Sequence, residues 1–274
     1  GEITWFRGEH TEDFLADPKA PATWRTSGMA NGTMGDLAPH MVNGALALMG
    51  PIISVAGSYE TVHKTRPGGE VSNDDHAQMM CRFENGAMGQ MYFSRIATGR
   101  KMGFAYEISG TRGAIRFDQE DQNAIWLYRM EGPEAERGFT RILTGPAHPD
   151  YAPFCQGPGH GTGYQDQIII EARDFLHAIE TGQPHWPCFR DGHEVNRVIA
   201  AMRASVSSRR SRRAGLRPAA ASRSWRLAAK SSAASRGMVE AAARRAASLL
   251  AVEARASSAA AARAARPSAA MAAS

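Results

Sequence analysis

Apolar and polar positions alternate along most of the chain from Ile3 to Arg129, and the alternation is broken by one stretch with helical spacing. Ile3-Thr4-Trp5-Phe6-Arg7 reads as a strand that ends near Gly8-Glu9-His10. Thr11 to Leu15 reads as a helical turn. Ala20-Pro21-Ala22-Thr23-Trp24-Arg25 reads as an extended loop, because a residue before proline avoids the α region. The break comes next. Val42, Ala45, Leu46 and Met49 recur at helical spacing, Pro39 fits a first helical turn, and Gly50-Pro51 ends the run. Asp36 stands where a short carboxylate would cap that helix.

Alternation then returns. Strands are predicted at Ile52–Val62, Asp75–Phe83, Ala87–Ile96, Met102–Ser109, Ala114–Phe117 and Ala124–Arg129. Thr65 to Glu70 is a loop, Asn85-Gly86 suits a hairpin, and Gly110 to Gly113 is a turn. Strands joined by tight turns pair antiparallel. Residues 145–165 form a long loop rich in Gly and Pro. Asp166–Ile179 is an amphipathic helix with Ile169, Ala172, Phe175, Leu176 and Ile179 on one stripe, closed by Gly182. Asp191 to about Val206 is a second helix, with Val195, Val198, Ile199 and Met202 inward. The expected fold class is α+β: an open, mostly antiparallel sheet with helices packed on one face.

Composition divides the chain at residue 207. From Ser207 to Ser274 there are 14 Lys and Arg against 2 acidic residues, in a background of Ala and Ser; residues 1–206 hold 18 basic and 25 acidic residues. The net charge of +5 therefore comes from the tail, and so would any affinity for nucleic acid. Such a tail buries too little apolar surface to order itself, although Val239 to Val252 suits a local helix. We read 1–206 as one domain and 207–274 as a basic low-complexity tail, disordered or produced by out-of-frame translation; an intact reading frame in the source DNA would rule out the second origin. Hydrophobic content of 43% supports a core, and no apolar run approaches the roughly 20 residues of a membrane span. Cys81, Cys155 and Cys188 lie far apart, which fits a reducing, cytoplasmic setting rather than a disulfide framework. Gly1 starts mid-pattern without an initiating Met or signal-peptide layout, as expected of the later part of a longer chain.

The chemistry concentrates at the helix mouth. Asp36 and His40 are four residues apart, a spacing that puts a carboxylate and an imidazole on one helical face. Two readings fit: a cap with a partly buried histidine, or a proton-transfer pair in which the acid orients the imidazole. Trp24-Arg25 likewise fits either packing and capping, or the presentation of a flat cation and an aromatic face to a phosphate or ring. The glycines of 157–163 lack dinucleotide-fingerprint spacing, and His148, Cys155 and His160 lack paired metal-ligand spacing, so no metal site is expected.

Taken in order, Ala20 to Arg25, Gly35-Asp36-Leu37-Ala38-Pro39-His40, Ala47 to Ile52, Phe83 to Ala87, Tyr106 to Ile115 and Phe175 to Gly182 resemble the glucose–fructose oxidoreductase / inositol dehydrogenase / MocA family over about residues 1–206. The resemblance implies a substrate domain with an open antiparallel sheet that follows an NAD(P)-binding Rossmann domain. The glycine fingerprint of that first domain, and its Lys-Pro motif with an active-site lysine, are not among these residues. By resemblance, His40 exchanges the hydroxyl proton of a polyol or sugar and Asp36 orients it or the substrate. His10, Phe104 and Tyr106 face the substrate, while Trp24 and Arg25 reach the NAD or NADP cofactor. Asn43 stands where many members have Asp. The resemblance also implies a homo-oligomer formed through the sheet face, with neither nucleic acid nor membrane as partner. An oligomerisation module without catalysis, and a glycosidase relative that uses NAD transiently, are the alternatives.

Overall fold

The computed structural model describes residues 1–213. Its elements are β1 (Ile3–Thr11), α1 (Thr33–Asp36), α2 (Ala38–Met49), β2 (Ile52–Glu60), a short hairpin β3 (Thr65–Arg66) and β4 (Gly69–Glu70), β5 (His76–Phe83), β6 (Met88–Ser94), β7 (Gly103–Gly110), β8 (Gly113–Asp118), β9 (Ala124–Arg129), β10 (Thr140–Leu143), α3 (Tyr164–Thr181) and α4 (Phe189–Arg213). Eight strands form one sheet in the order β10-β9-β8-β7-β1-β6-β5-β2. The α+β class and the mostly antiparallel sheet match the expectation.

One pairing departs from it. β1 lies between β7 and β6 and runs parallel to β6. Tight turns dictate antiparallel neighbours only for strands adjacent in sequence. β1 reaches β6 through α1, α2 and four intervening strands, a connection long enough for either direction. β1 also runs on to Thr11, so His10 is a strand residue rather than part of a turn. β10 and the small hairpin had no clear alternating signal.

α2 and α4 pack on one face of the sheet. Phe6, Met41, Val42, Phe83, Phe93 and Met202 are wholly buried there. Side chains of this kind contribute roughly 1.5–3 kcal/mol each on leaving water. The helices lie close to the strands at two glycines. A Cβ at Gly8 would stand 2.5 Å from Met41 Sδ, and one at Gly57 would stand 2.7 Å from Met202 Cε. Val42, Ala45 and Met49 are buried as the spacing requires, and Leu46 packs against the same cluster.

Three expectations need correction. Asp36 does not cap the helix. The chain turns helical at Thr33, a turn earlier, and the cap comes from another loop, which the missing side chain of Gly32 lets in close: Asp74 accepts from Met34 N through Oδ2 at 2.7 Å and from Thr33 N through its carbonyl at 3.0 Å. The stripe on α3 does not face the core. Ile169, Phe175, Leu176 and Ile179 are 53–64% exposed, and no α3 residue is buried. α4 continues as helix past Val206 to Arg213. Readings that fall on 214–274 lie outside the described residues.

Candidate active site

The site forms where the end of β1, the loop before α1, the α1–α2 junction and β7 meet. His10 faces α2 because residues alternate along a strand, and Phe6, Gly8 and His10 share the helix side of β1. Across the β1–β7 ladder, His10 pairs with Phe104 and Gly8 pairs with Tyr106. The His10 and Phe104 rings meet edge to face with centroids 5.5 Å apart. α2 closes over Phe104 at Gly44, where a Cβ would be 3.6 Å from its Cζ. His40, on the first turn of α2, is exposed. Its ring stands edge-on to His10 at 5.3 Å.

His10 is 6% exposed. Its Nδ1 is 3.0 Å from the Leu37 carbonyl oxygen, which can only accept, so Nδ1 carries the proton. Burial lowers its pKa to about 4, assisted by the neighbouring His40; the bond to Leu37 and the Asp36 charge act against that without reversing it. The ring is therefore neutral at pH 7. Its Nε2 is buried without a hydrogen-bond partner. A Glu12 carboxylate oxygen lies 3.3 Å away, off the line of a hydrogen bond. Burial and the charge of Asp36 raise the Glu12 pKa, and Arg25 opposes them.

Asp36 and His40 do share this locality, but not as a bonded pair. Asp36 Oδ2 takes its hydrogen bond from Arg25 Nη1 at 2.9 Å. The Arg25 guanidinium also lies over the Trp24 ring at 4.5 Å and near the Phe14 ring at 5.4 Å. Trp24 is 64% exposed at the rim. Tyr106 stands further along β7. Its ring contacts Phe117 at 5.3 Å, and burial, with Tyr151 nearby, raises its pKa.

Arg25 is held from beneath. The fully buried Arg95 donates through Nη1 to the carbonyls of Arg25 (2.6 Å) and Asn31 (3.0 Å), and pairs with Asp75 at 3.2 Å. Asn73 donates to the same Arg25 carbonyl at 3.0 Å. Removing one partner of such a buried ion pair costs about 3–5 kcal/mol, so the loop that presents Arg25 to Asp36 is firmly set. Sequence reasoning missed Glu12 and Arg95. Glu12 had a signal: it lies two residues beyond His10, on the same side of an extended chain. Arg95 had none, since its partners come from three distant segments. Among the described residues no group of three or more His, Cys, Asp or Glu converges as metal ligands would. His148 instead accepts from Gly145 N at 3.1 Å, and Cys155 is buried.

The chain is thus an α+β domain: an open sheet covered by helices on one face, with His10, His40, Glu12 and Asp36 gathered at the edge of that cover. Residues 1–116 match the family model of the GFO/IDH/MocA C-terminal domain, and the chain belongs to that family. It is similar to levoglucosan dehydrogenase of Pseudarthrobacter phenanthrenivorans, at 36% identity over 227 residues, covering 76% of this chain and 58% of that protein. The solved complex of a levoglucosan dehydrogenase with NADH and levoglucosan matches at TM-score 0.74 and 36% identity, over 76% of this chain and 57% of the other. An NAD binding oxidoreductase from Klebsiella pneumoniae matches at TM-score 0.70 and 36% identity, over 76% and 58%. An inositol dehydrogenase homolog from Azotobacter vinelandii, complexed with NADH and myo-inositol, matches at TM-score 0.59 and 19% identity over 76% and 56%, a likeness of fold alone. The chain spans a little over half the length of these relatives.

Proposed function

We propose that these residues are the substrate half of an NAD-dependent oxidoreductase that oxidises a secondary hydroxyl of a sugar or polyol. The observation that carries this reading is His40: an exposed imidazole at a helix mouth, edge-on to a buried neutral histidine and near the Arg25–Asp36 pair. Relatives solved with NADH and a sugar support the substrate class. The residues present fit one edge of a dinucleotide, through the exposed Trp24 face with Arg25 stacked on it. The cofactor, when bound, accepts the hydride. His40 takes the hydroxyl proton as the carbinol carbon is oxidised, which requires only an open imidazole within hydrogen-bond reach. Asp36, fixed by Arg25, orients the substrate, and Phe104 walls the pocket. Tyr106 offers its hydroxyl further along β7. We place the protein in the cytoplasm, in keeping with three free cysteines; among the described residues no helix is long and apolar enough to cross a membrane.

The test is His40→Ala in a version carrying a nucleotide-binding domain ahead of Gly1, assayed by NADH formation with levoglucosan and myo-inositol. Turnover should fall by at least ~100-fold. Near-normal turnover would remove His40 from its role. An assembly role is favoured by a separate observation. The sheet face turned away from α2 exposes Met80 (59%) and Met88 (54%), which suits packing against a second copy.

A further inference from the structure

The loop that carries Trp24 and Arg25 has no apolar side chain anchoring it. From Trp24 to Asn31 only Thr26 is buried, while Trp24 is 64% and Met29 40% exposed. Its carbonyls hold it instead. Four of them within seven residues accept from side chains of distant segments. Arg95 Nη1 donates to those of Arg25 (2.6 Å) and Asn31 (3.0 Å), Asn73 Nδ2 to those of Arg25 and Gly28 (both 3.0 Å), and Arg203 Nη2 on α4 to that of Met29 (2.8 Å).

Arg95 directly follows β6, and its side chain is wholly enclosed, as is that of its partner Asp75. A guanidinium has five N–H donors in one plane, and here each has an acceptor. Nη1 gives both of its protons to the loop carbonyls. Nη2 gives to Asn73 Oδ1 and Asp75 Oδ1, and Nε also gives to Asp75 Oδ1 at 3.3 Å. Asp75 is pinned in turn, because its Oδ2 accepts from Val62 N (2.9 Å) and His63 N (2.8 Å). A fixed carboxylate is thereby joined through one rigid plane to two points on the loop. Arg25, set at its carbonyl, brings its Nη1 2.9 Å from Asp36 Oδ2 and its guanidinium carbon 4.5 Å from the centre of the Trp24 ring.

We propose that Arg95 is a positioning residue of this site. Its fork sets the place of the Trp24–Arg25 loop, and through that loop the Arg25–Asp36 bond and the aromatic face of Trp24. The inference rests on the reading above that this loop meets the dinucleotide. Lysine at this position keeps the charge beside Asp75, but three donors on one nitrogen cannot span Asp75, Asn73 and both carbonyls. Charge and geometry are therefore separable by one substitution.

The experiment is proton and nitrogen NMR of the arginine side chains and the Trp24 indole in the 274-residue chain. The variants are R95K, N73A and, as a control for general loss of stability, F83A. In the parent, the Arg95 Nη protons should be resolved from one another and exchange slowly with water. Fast, averaged signals would overturn the proposal even if every variant misfolded. R95K should keep the fold, yet speed exchange at the Arg25 guanidinium about tenfold or more and move the Trp24 signal. N73A removes a bond to the same carbonyl and should act likewise to a smaller extent, whereas F83A should not. Arg25 and Trp24 signals unchanged in folded R95K, or changed as much by F83A, would mean that Arg95 only supports the fold. NADH tests the underlying reading: it should move the Trp24 signal in the parent and bind R95K about tenfold more weakly. If NADH leaves Trp24 unmoved in the parent while Arg25 responds in R95K and N73A, the cofactor reading fails and the hold of Arg95 on Arg25 stands.

Discussion

Phe83 on β5 and Leu127 on β9 point to the same side of one sheet, yet Phe83 is wholly buried and Leu127 is not. The difference runs through the whole molecule. Around β1, β6, β5 and β2, the helices α2 and α4 cover the sheet, and the apolar core closes. Around β8, β9 and β10 no helix sits on that face in the described residues, and Ile115 remains 40% exposed. The candidate site lies on the seam, where Gly44 of α2 makes its last approach over Phe104. A boundary of this kind offers what a binding site needs: a rigid, dry floor on one side and open access on the other. Buried His10 and exposed His40 are its two sides, with ring centroids 5.3 Å apart.

The sharpest way to break the comparison is a large truncation in the covered half. Phe83→Ala removes a ring that is wholly enclosed and edge-on to Phe6 at 5.8 Å. Urea unfolding should show a loss of about 3–5 kcal/mol, the range for aromatic-to-alanine changes in cores. A loss below about 1 kcal/mol would mean that the covered half is no better packed than the wing.

The site floor gives the next effect, read as pH dependence. The His10 pKa is near 4 in the fold and about 6.5 in an unfolded chain, so between those values the unfolded state binds more protons. Stability should therefore be complete above pH 6.5, fall as pH drops toward 4, and change no further on this account below that. The span is at most about 3 kcal/mol. Glu12, with its pKa raised, acts in the opposite sense: its contribution is present at low pH and declines as pH rises through its folded value. Comparing H10Q with the parent chain across this window isolates the histidine. The variant should show the shallower slope, and equal slopes would place His10 in contact with water.

How far the sequence disclosed this arrangement follows from which forces act locally. α2 was legible because helical spacing, Pro39 and Gly50 all act within a few residues. Strands β5 and β6 were legible from alternation and Asn85-Gly86, whose glycine adopts φ +90 at the turn. The position of β1 beside β6 was not, since a long connection leaves direction open. The Asp36–His40 spacing does bring both residues to one locality, but not into a bond. Arg25 reaches Asp36 from the loop just before α1, and His40 turns to His10 instead. Cap and proton pair both fitted in one dimension; Asp74 takes the cap, reaching Met34 from forty residues away, and Arg25 takes the Asp36 carboxylate.

The smallest effect belongs to α3, and it tests the comparison from the other side. Leu176 lies in an apolar stripe that period alone would assign to a core, yet it is 57% exposed, with Phe175 at 64% and Ile179 at 62% beside it. Leu176→Ala removes little buried surface and exchanges one strong helix former for a better one. The unfolding free energy of this chain should change by no more than about 0.5 kcal/mol, as for surface substitutions generally. A cost above about 2 kcal/mol would require that Leu176 be enclosed in solution, because only loss of packing gives a leucine truncation that size. The uncovered wing would then be covered by something these residues do not supply, and the contrast with Phe83 would describe an isolated piece rather than the working molecule. Measured together, the two truncations therefore decide whether the seam at His10 and His40 is an edge of the protein or only an edge of the described part.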